Sequence, residues 1–158
     1  SHVGYNLKAT DMQAAIGLSQ LNKLDKFIEI RKENFKYMYD HFLEFEQFHL
    51  PTWYEKSNPS WFGFPLTIKN DSDIKRVELL RHYDENRIGT RLLFGGNVIL
   101  QPAYEKLELG NSDDFPAARN VTDNSFWLGV YPGINKDMMD FVIMITKEFM
   151  DKKWTLLY

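Results

Sequence analysis

The sequence predicts an α+β domain: a small sheet with covering helices and a long N-terminal helix. Three observations carry this expectation. Apolar residues recur at three- and four-residue steps over residues 11–45; three short aromatic and β-branched runs sit between turn residues; and helical periodicity returns between and after those runs. The resulting order is helix, strand, helix, strand, helix, helix, strand, helix.

The first helix is announced by Thr10 and Gln13 at capping-box spacing, which makes Asp11 its first residue. Met12, Ala15, Ile16, Leu21, Leu24, Phe27, Ile28, Phe35, Met38, Tyr39 and Phe42 supply the apolar repeat. So long a helix is expected to bend near Leu24-Asp25-Lys26 and to be buried against more than one partner, with residues 17–24 packing on a neighbouring domain or subunit. Residues 51–60 read as a loop and 61–68 as a strand, with Pro65 placing it at an edge or a bulge. Asn70-Asp71-Ser72 caps a helix over 73–86, whose apolar face is Ile74, Val77, Leu79 and Leu80. Residues 88–94 form a second strand introduced by Gly89, Gly95-Gly96-Asn97 a sharp turn, and 98–107 a short helix interrupted by Pro102.

The acidic, polar run 110–116 reads as a mobile surface loop, and 117–124 as a short helix. Residues 126–130 make a third strand, stopped by Tyr131-Pro132-Gly133. Asn135 caps a last helix over 136–152 with the face Met138, Met139, Phe141, Val142, Ile145 and Phe149, and 154–158 is an apolar tail able to dock. If the helices that follow each strand cover one sheet face, the other face or the long helix is left for something outside the chain. The expectation is a partial domain.

Composition narrows the function classes. A chain of 158 residues predicts one unit with its own core. The formal charge of −3, with Lys and Arg interspersed among Asp and Glu, argues against a nucleic-acid partner. The absence of cysteine excludes disulfides, thiol nucleophiles and cysteine-ligated metals within this chain. No apolar run approaches membrane-spanning length and no signal-peptide pattern opens the chain, so the expected location is cytoplasmic, with no membrane partner. Asn70-Asp71-Ser72 and Asn120-Val121-Thr122 fit the glycosylation pattern, a chance match in a chain without a secretion signal.

Local chemistry singles out one stretch. Gly4-Tyr5-Asn6-Leu7-Lys8 places a flexible turn, an amide donor and a cation directly ahead of a capped helix N-terminus, where the helix dipole favours an anion. An ordinary lead-in loop to a surface helix is the other reading.

That stretch, followed by Thr10-Asp11-Met12-Gln13-Ala14-Ala15, resembles the start of the C-terminal domain in the vitamin-B6-dependent nucleotide-sugar aminotransferase and dehydratase family, which has the aspartate-aminotransferase (fold type I) architecture. Four further segments are similar to the family's 3-dehydratase branch: Pro59-Ser60-Trp61-Phe62-Gly63-Phe64-Pro65; Asn86-Arg87-Ile88-Gly89-Thr90-Arg91-Leu92-Leu93-Phe94-Gly95-Gly96-Asn97; Gln101-Pro102-Ala103-Tyr104; and Phe126-Trp127-Leu128-Gly129-Val130-Tyr131-Pro132-Gly133. That branch acts on CDP- or GDP-4-keto-6-deoxyhexoses in making the deoxy sugars of lipopolysaccharide, and the likeness is to its CDP-4-keto-6-deoxy-glucose 3-dehydratases.

The resemblance implies that residues 1–158 are the C-terminal (small) domain of a fold-type I enzyme, and that a large cofactor-binding domain precedes it. Pyridoxamine or pyridoxal 5′-phosphate would be the cofactor. A histidine in the large domain, in place of the Schiff-base lysine, would be the base, so no catalytic residue lies in this chain and His2 does not match that position. The CDP-sugar branch also implies a [2Fe-2S] cluster on upstream cysteines and a reductase partner, and the complete enzyme would be a homodimer. A pyridoxal-phosphate aminotransferase on the same scaffold and a non-catalytic domain that associates through its long helix are the alternatives.

Carried over residue by residue, Asn6 would reach across the dimer interface to the cofactor phosphate, in a charge-assisted bond worth about 1.5–3 kcal/mol; a turn-forming asparagine is its other reading. Lys8 stands where many aminotransferase relatives have arginine, and is either a charge beside the cofactor or an exposed loop lysine. Arg91 would clamp the substrate pyrophosphate or pair with a carboxylate. Where aminotransferases often have a histidine and an aromatic, this chain has Leu93 and Phe94, which by the resemblance removes a polar group from beside the cofactor and implies a dry pocket that favours the bound, unhydrolysed pyridoxamine intermediate; a core leucine is the other reading of Leu93. Asn97 would donate to substrate or cap the next helix, and Trp61 with Phe62 would stack on the nucleotide base or belong to the core.

Overall fold

The computed structural model describes residues 8–104, 106–107 and 109–155. Helix α1 (Asp11–Phe42) begins at the capping box: the Gln13 N–H donates to Thr10 Oγ1 at 3.3 Å, and the Thr10 N–H to Gln13 Oε1 at 2.8 Å. It runs as one helix past Leu24-Asp25-Lys26 and ends three residues before the predicted limit. Every residue from 11 to 27 is exposed, including Met12, Ile16, Leu18, Leu21 and Leu24. Only the last turns are buried. Phe35, Met38 and Phe42 form a stripe at three- and four-residue steps that packs on the sheet, with both phenylalanines edge-on to Phe64 at 5.2–5.3 Å.

The four strands among the described residues are β1 (Phe48–His49), β2 (Gly63–Ile68), β3 (Thr90–Leu92) and β4 (Ser125–Gly129). Their order is β1-β2-β4-β3 and every neighbouring pair is antiparallel, so β2 and β3 run parallel with β4 between them. The two-residue β1 was not expected from the sequence; it is too short to show an alternation. Along β2, Phe64, Leu66 and Ile68 are buried while Gly63, Pro65 and Thr67 face the other way.

Pro65 corrects the expectation of an edge strand. β2 is interior in the sheet order, but β1 reaches only Thr67 and Ile68. The Val130 N–H bonds to Phe62 O, so the even-numbered residues of β2 direct their backbone groups to β4 and Pro65 directs its own to the β1 side. No strand stands there. The missing donor of proline therefore costs no ladder bond.

Helix α2 (Arg76–Glu85) starts three residues later than predicted. Ser72 Oγ accepts from the Ile74 N–H at 3.2 Å and stabilises a turn that turns Ile74 inward, so the helix begins only after it. Leu79 and Tyr83, four residues apart, are fully buried; Val77 is 62 % exposed because it lies about 160° around the helix from Leu79. The Tyr83 phenol bonds Thr146 Oγ1 at 2.7 Å, and burial pushes its pKa up. At the C-terminus, the Arg87 N–H reaches Asp84 O and the Ile88 N–H reaches Tyr83 O, each at 2.9 Å, with Arg87 at φ +59°. This is a Schellman cap with arginine where glycine is usual.

Beyond β3, the predicted helix over 98–107 is two 3-10 turns, Val98–Leu100 and Pro102–Tyr104, since Pro102 cannot donate to a continuous ladder. The polar run 110–116 uses Asn111 and Asp114 as reciprocal caps of a further 3-10 turn, Ser112–Asp114. Helix α3 (Pro116–Asn124) leads directly into β4.

Helix α4 (Lys136–Thr155) is capped as expected, the Met138 N–H donating to Asn135 Oδ1 at 2.9 Å. Met139, Val142, Ile143, Ile145, Phe149 and Met150 are buried. Met138 and Phe141, predicted for that face, are 49 % and 41 % exposed: Met138 sits in the first turn, beyond the sheet, and Phe141 lies well around the helix from the core direction. The docking tail expected over 154–158 falls outside the described residues, apart from the last turn of the α4 backbone.

The C-terminal end of α1, with α2 and α4, covers one face of the sheet. Asn34 Nδ2 donates to Tyr131 O and Ile134 O, both at 3.1 Å, and ties α1 to the turn after β4. Tyr37 and Lys136 both donate to Asp140, which links α1 to α4. Among the described residues, no helix is long and apolar enough to cross a membrane and no acidic, histidine or cysteine cluster could hold a metal.

Candidate functional site

The uncovered sheet face is where the motif residues meet. Alternation along β4 turns Phe126 and Leu128 into the core and Trp127 to the opposite side. The register then sets Trp127 between Pro65 of β2 and Arg91 of β3. Around it, Trp61, Phe62, Pro65, Leu93, Phe94 and Trp127 line a cleft of about 150 Å³.

Phe94 follows β3 in a turn where the Phe94 N–H bonds Leu92 O at 2.8 Å and the Gly96 N–H bonds Leu93 O at 3.2 Å. Its backbone is left-handed (φ +47°) and its side chain is 76 % exposed. A bulky residue in that region costs about 1–3 kcal/mol and is found where surrounding structure imposes it. The imposing contacts lie next door. Gly96, at φ +59°, sits so close to α3 that a Cβ would be 2.7 Å from Thr122 Oγ1, and the Asn97 N–H donates to that oxygen at 2.6 Å.

Arg91 is exposed and makes no hydrogen bond or ion pair with any described residue. Asn97 is turned away from the cleft. It is 4 % exposed, and its Oδ1 accepts from the Ile99 N–H at 3.1 Å, capping the 3-10 turn Val98–Leu100, as its second reading held. Its Nδ2 is buried without a partner among the described residues. Trp61 is half-buried: one face stacks on Phe35 at 4.1 Å and 8°, and Trp53 stands edge-on at 5.6 Å. Trp61 thus joins the cleft to the core and has one face already taken.

Lys8 is exposed, just ahead of the Thr10 cap. The rise of about 1.5 Å per residue puts Asp11 roughly 36 Å along the α1 axis from Phe35, on which Trp61 stacks. Within one copy, the α1 N-terminus and the cleft do not meet. Asn6 lies outside the described residues. Lys8 beside the helix N-terminus suits one edge contact to a phosphate, but it does not enclose one.

Among the described residues no carboxylate, histidine or lysine lines the cleft. Among the described residues the groups whose pKa is displaced lie elsewhere: Tyr83 in the core, Asp140 and Lys136 in the α1–α4 link, and Arg119 beside Asp123 on α3. The arrangement can bind and orient a ligand but offers no group to exchange a proton with it. A larger groove, about 490 Å³, lies between the β3–β4 end and the start of α4 and is lined by Arg87, Tyr131, Asp137, Met138 and Phe141, none of them a predicted site residue. Trp127 was not singled out from the sequence, although its position between Phe126 and Leu128 marks it as facing away from the core.

Residues 1–147 match the family described as the DegT/DnrJ/EryC1/StrS aminotransferase family. The chain is 45 % identical over 150 residues to lipopolysaccharide biosynthesis protein RfbH of Salmonella typhimurium, covering 94 % of this chain and 34 % of that protein. It is 43 % identical over 152 residues to the dTDP-4-dehydro-2,6-dideoxy-D-glucose 3-dehydratase of Saccharopolyspora spinosa, covering 96 % and 33 %. Among solved structures, the E. coli GDP-4-keto-6-deoxy-D-mannose-3-dehydratase with bound hydrated PLP superposes with a TM-score of 0.77 at 28 % identity, over 90 % of this chain and 36 % of that one. The chain spans about a third of the length of the curated relatives it matches.

Proposed function

The chain belongs to the DegT/DnrJ/EryC1/StrS aminotransferase family, and we propose that it is the C-terminal small domain of a pyridoxamine-phosphate-dependent nucleotide-4-keto-6-deoxyhexose 3-dehydratase. The enzyme removes the C3 hydroxyl of the sugar in the making of lipopolysaccharide deoxy sugars, in the cytoplasm. Two relatives of known name are 3-dehydratases of nucleotide-linked deoxy sugars, which supports this branch over the aminotransferases.

One observation carries the reading. The cleft brings residues of three separate motifs together, and the strand register sets the exposed Arg91 beside them, across from Trp127. This supports a part that holds the substrate. Arg91 takes the pyrophosphate, a bidentate match for a guanidinium. Phe62, Phe94, Trp61 and Leu93 border the nucleotide.

Pyridoxamine phosphate, when bound, supplies the amine and the electron sink that elimination at C3 needs. Asn6 and Lys8 give its phosphate an amide donor and a cation. The length of α1 separates Lys8 from the cleft by far more than a side chain can span, which supports a homodimer in which these two residues serve the partner's site. The exposed apolar residues of α1, from Met12 to Leu24, are then covered by the large domain and the second subunit. A [2Fe-2S] cluster and a reductase partner go with the CDP-sugar form of the reaction, and with no cysteine here any cluster ligands come from outside this chain.

The test is to load the full-length enzyme carrying this chain with pyridoxamine phosphate, supply a CDP- or GDP-4-keto-6-deoxyhexose, and follow the C3 proton and hydroxyl by NMR. Dehydration is expected. Formation of a 4-amino sugar in the presence of glutamate would make it an aminotransferase, and inactivity of a correctly assembled dimer would leave only an association role. The 158-residue chain by itself is expected to show no stable, stoichiometric cofactor absorbance after incubation with pyridoxal phosphate.

A further inference from the structure

Trp127 forms the floor of the cleft, and the way it is held is unusual. A Cβ on Gly63 would lie 2.4 Å from its Cε3, 3.0 Å from Cζ3 and 3.1 Å from Cδ2, so the six-membered ring rests flat on the Gly63 backbone. The indole N–H donates to Leu92 O at 3.2 Å, which fixes the ring's direction across β3. Phe62 stands against it edge-on, with centroids 5.2 Å apart and planes at 79°, and Phe94 faces Phe62 at 6.5 Å from its left-handed position. The result is a slot with a flat aromatic floor and upright aromatic walls. Arg91 lies directly across the strand pair from Trp127.

The dimensions and chemistry restrict the occupant. At about 150 Å³ the slot is well below the roughly 300 Å³ of a pocket that encloses a drug-sized ligand, so it takes one ring system and not a whole nucleotide sugar. Among the described residues its walls present no side-chain acceptor, and their side-chain donors are two indole N–H groups: that of Trp127, already given to Leu92 O, and that of Trp61, whose ring is stacked on Phe35 at the side of the slot. A ring held there is held by stacking, and stacking accepts any base because every base has a π face.

We propose that Trp127 is the stacking platform for the nucleobase of a nucleoside diphosphate whose phosphates Arg91 holds, that it accepts the base without discriminating among bases, and that Gly63 is its positioning residue. This rests on the reading above that the substrate is a nucleotide sugar. It adds a residue and a specificity rule: the choice of nucleotide is made elsewhere in the enzyme.

The experiment uses the 15N-labelled 158-residue chain and its tryptophan indole resonances, with that of Trp127 identified by its loss in Trp127→Phe. CDP, GDP and dTDP are titrated in turn, alongside cytidine, inorganic pyrophosphate and a hexose 1-phosphate. All three nucleotides are expected to move the Trp127 resonance, with dissociation constants within about threefold of one another. With affinities read by isothermal titration calorimetry, Trp127→Leu weakens each about tenfold and leaves pyrophosphate binding unchanged. Arg91→Gln weakens the nucleotides and pyrophosphate but not cytidine. Gly63→Ala shifts the Trp127 resonance in the free chain and weakens nucleotides as Trp127→Leu does, with no further loss when the two are combined.

A silent Trp127 resonance, a preference of more than about tenfold for one base, or a response to hexose 1-phosphate but not to cytidine overturns the proposal. If the full-length enzyme dehydrates while Trp127 stays silent, the platform fails and the dehydratase reading stands. If nucleotides bind at Trp127 in an enzyme that makes amino sugars, the reverse holds.

Discussion

Replacing Gly63 by alanine puts a methyl group where the Trp127 indole lies. The clash at 2.4 Å cannot be relieved by a small rotation, because Phe62 flanks the ring and the Leu92 carbonyl holds its N–H. Overpacking of this kind costs about 1–3 kcal/mol, and losing the indole hydrogen bond adds about 0.5–1.5 kcal/mol. Alanine returns about 0.5–1 kcal/mol through its lower freedom in the unfolded chain. The balance is a loss of about 2 kcal/mol, which for a chain of this length lowers Tm by about 4–8 °C. Thermal unfolding followed by near-UV circular dichroism reads both the midpoint and the indole environment. Gly89→Ala is the control, since nothing lies within 4 Å of a Cβ there and little change is expected. A Gly63→Ala chain that melts within about 1 °C of the wild type, with an unchanged near-UV spectrum, would refute the account of how the floor of the cleft is built.

Two further outcomes concern the frame around the cleft. Arg87→Gly should stabilise the chain, because relief of a left-handed arginine is worth about 1–2 kcal/mol and exceeds the roughly 0.4–1 kcal/mol lost to glycine's freedom when unfolded; a lowered Tm would contradict the Schellman reading. The Asp140 carboxyl is held below its usual pKa by the hydrogen bond from Lys136 and then by that from Tyr37. Its contribution is therefore present above the unfolded carboxylate value near pH 4 and is lost as pH falls through the lower folded value. Urea midpoints of wild type and Asp140→Asn should differ at pH 7 and converge towards pH 3, and a gap that widened in acid would be the wrong sign.

Features decided by neighbouring residues were legible in the sequence. The Thr10–Gln13 cap, the Asn135 cap, the turn at Gly95-Gly96 and strand β4 all appear where local chemistry puts them. Errors arose where packing overrode local preference: Ser72 caps a turn instead of α2, and Pro65 sits in an interior strand whose neighbour stops short. The motifs pointed to Trp61, Arg91 and Phe94, and the fold does bring these to one face. Asn97 went the other way, inward, because Thr122 on α3 claims its backbone N–H.

By itself, then, the sequence determined the kinds and order of the main elements, the family and the residues from which a site could be drawn, since periodicity, caps and motifs act over a few positions. Only the tertiary structure decided that Trp127 is the floor of the cleft and that the α1 N-terminus beside Lys8 stands roughly 36 Å of helix from Phe35, on which the cleft's Trp61 stacks. Both depend on strand register and helix length, which bring together or hold apart residues that are distant in the chain.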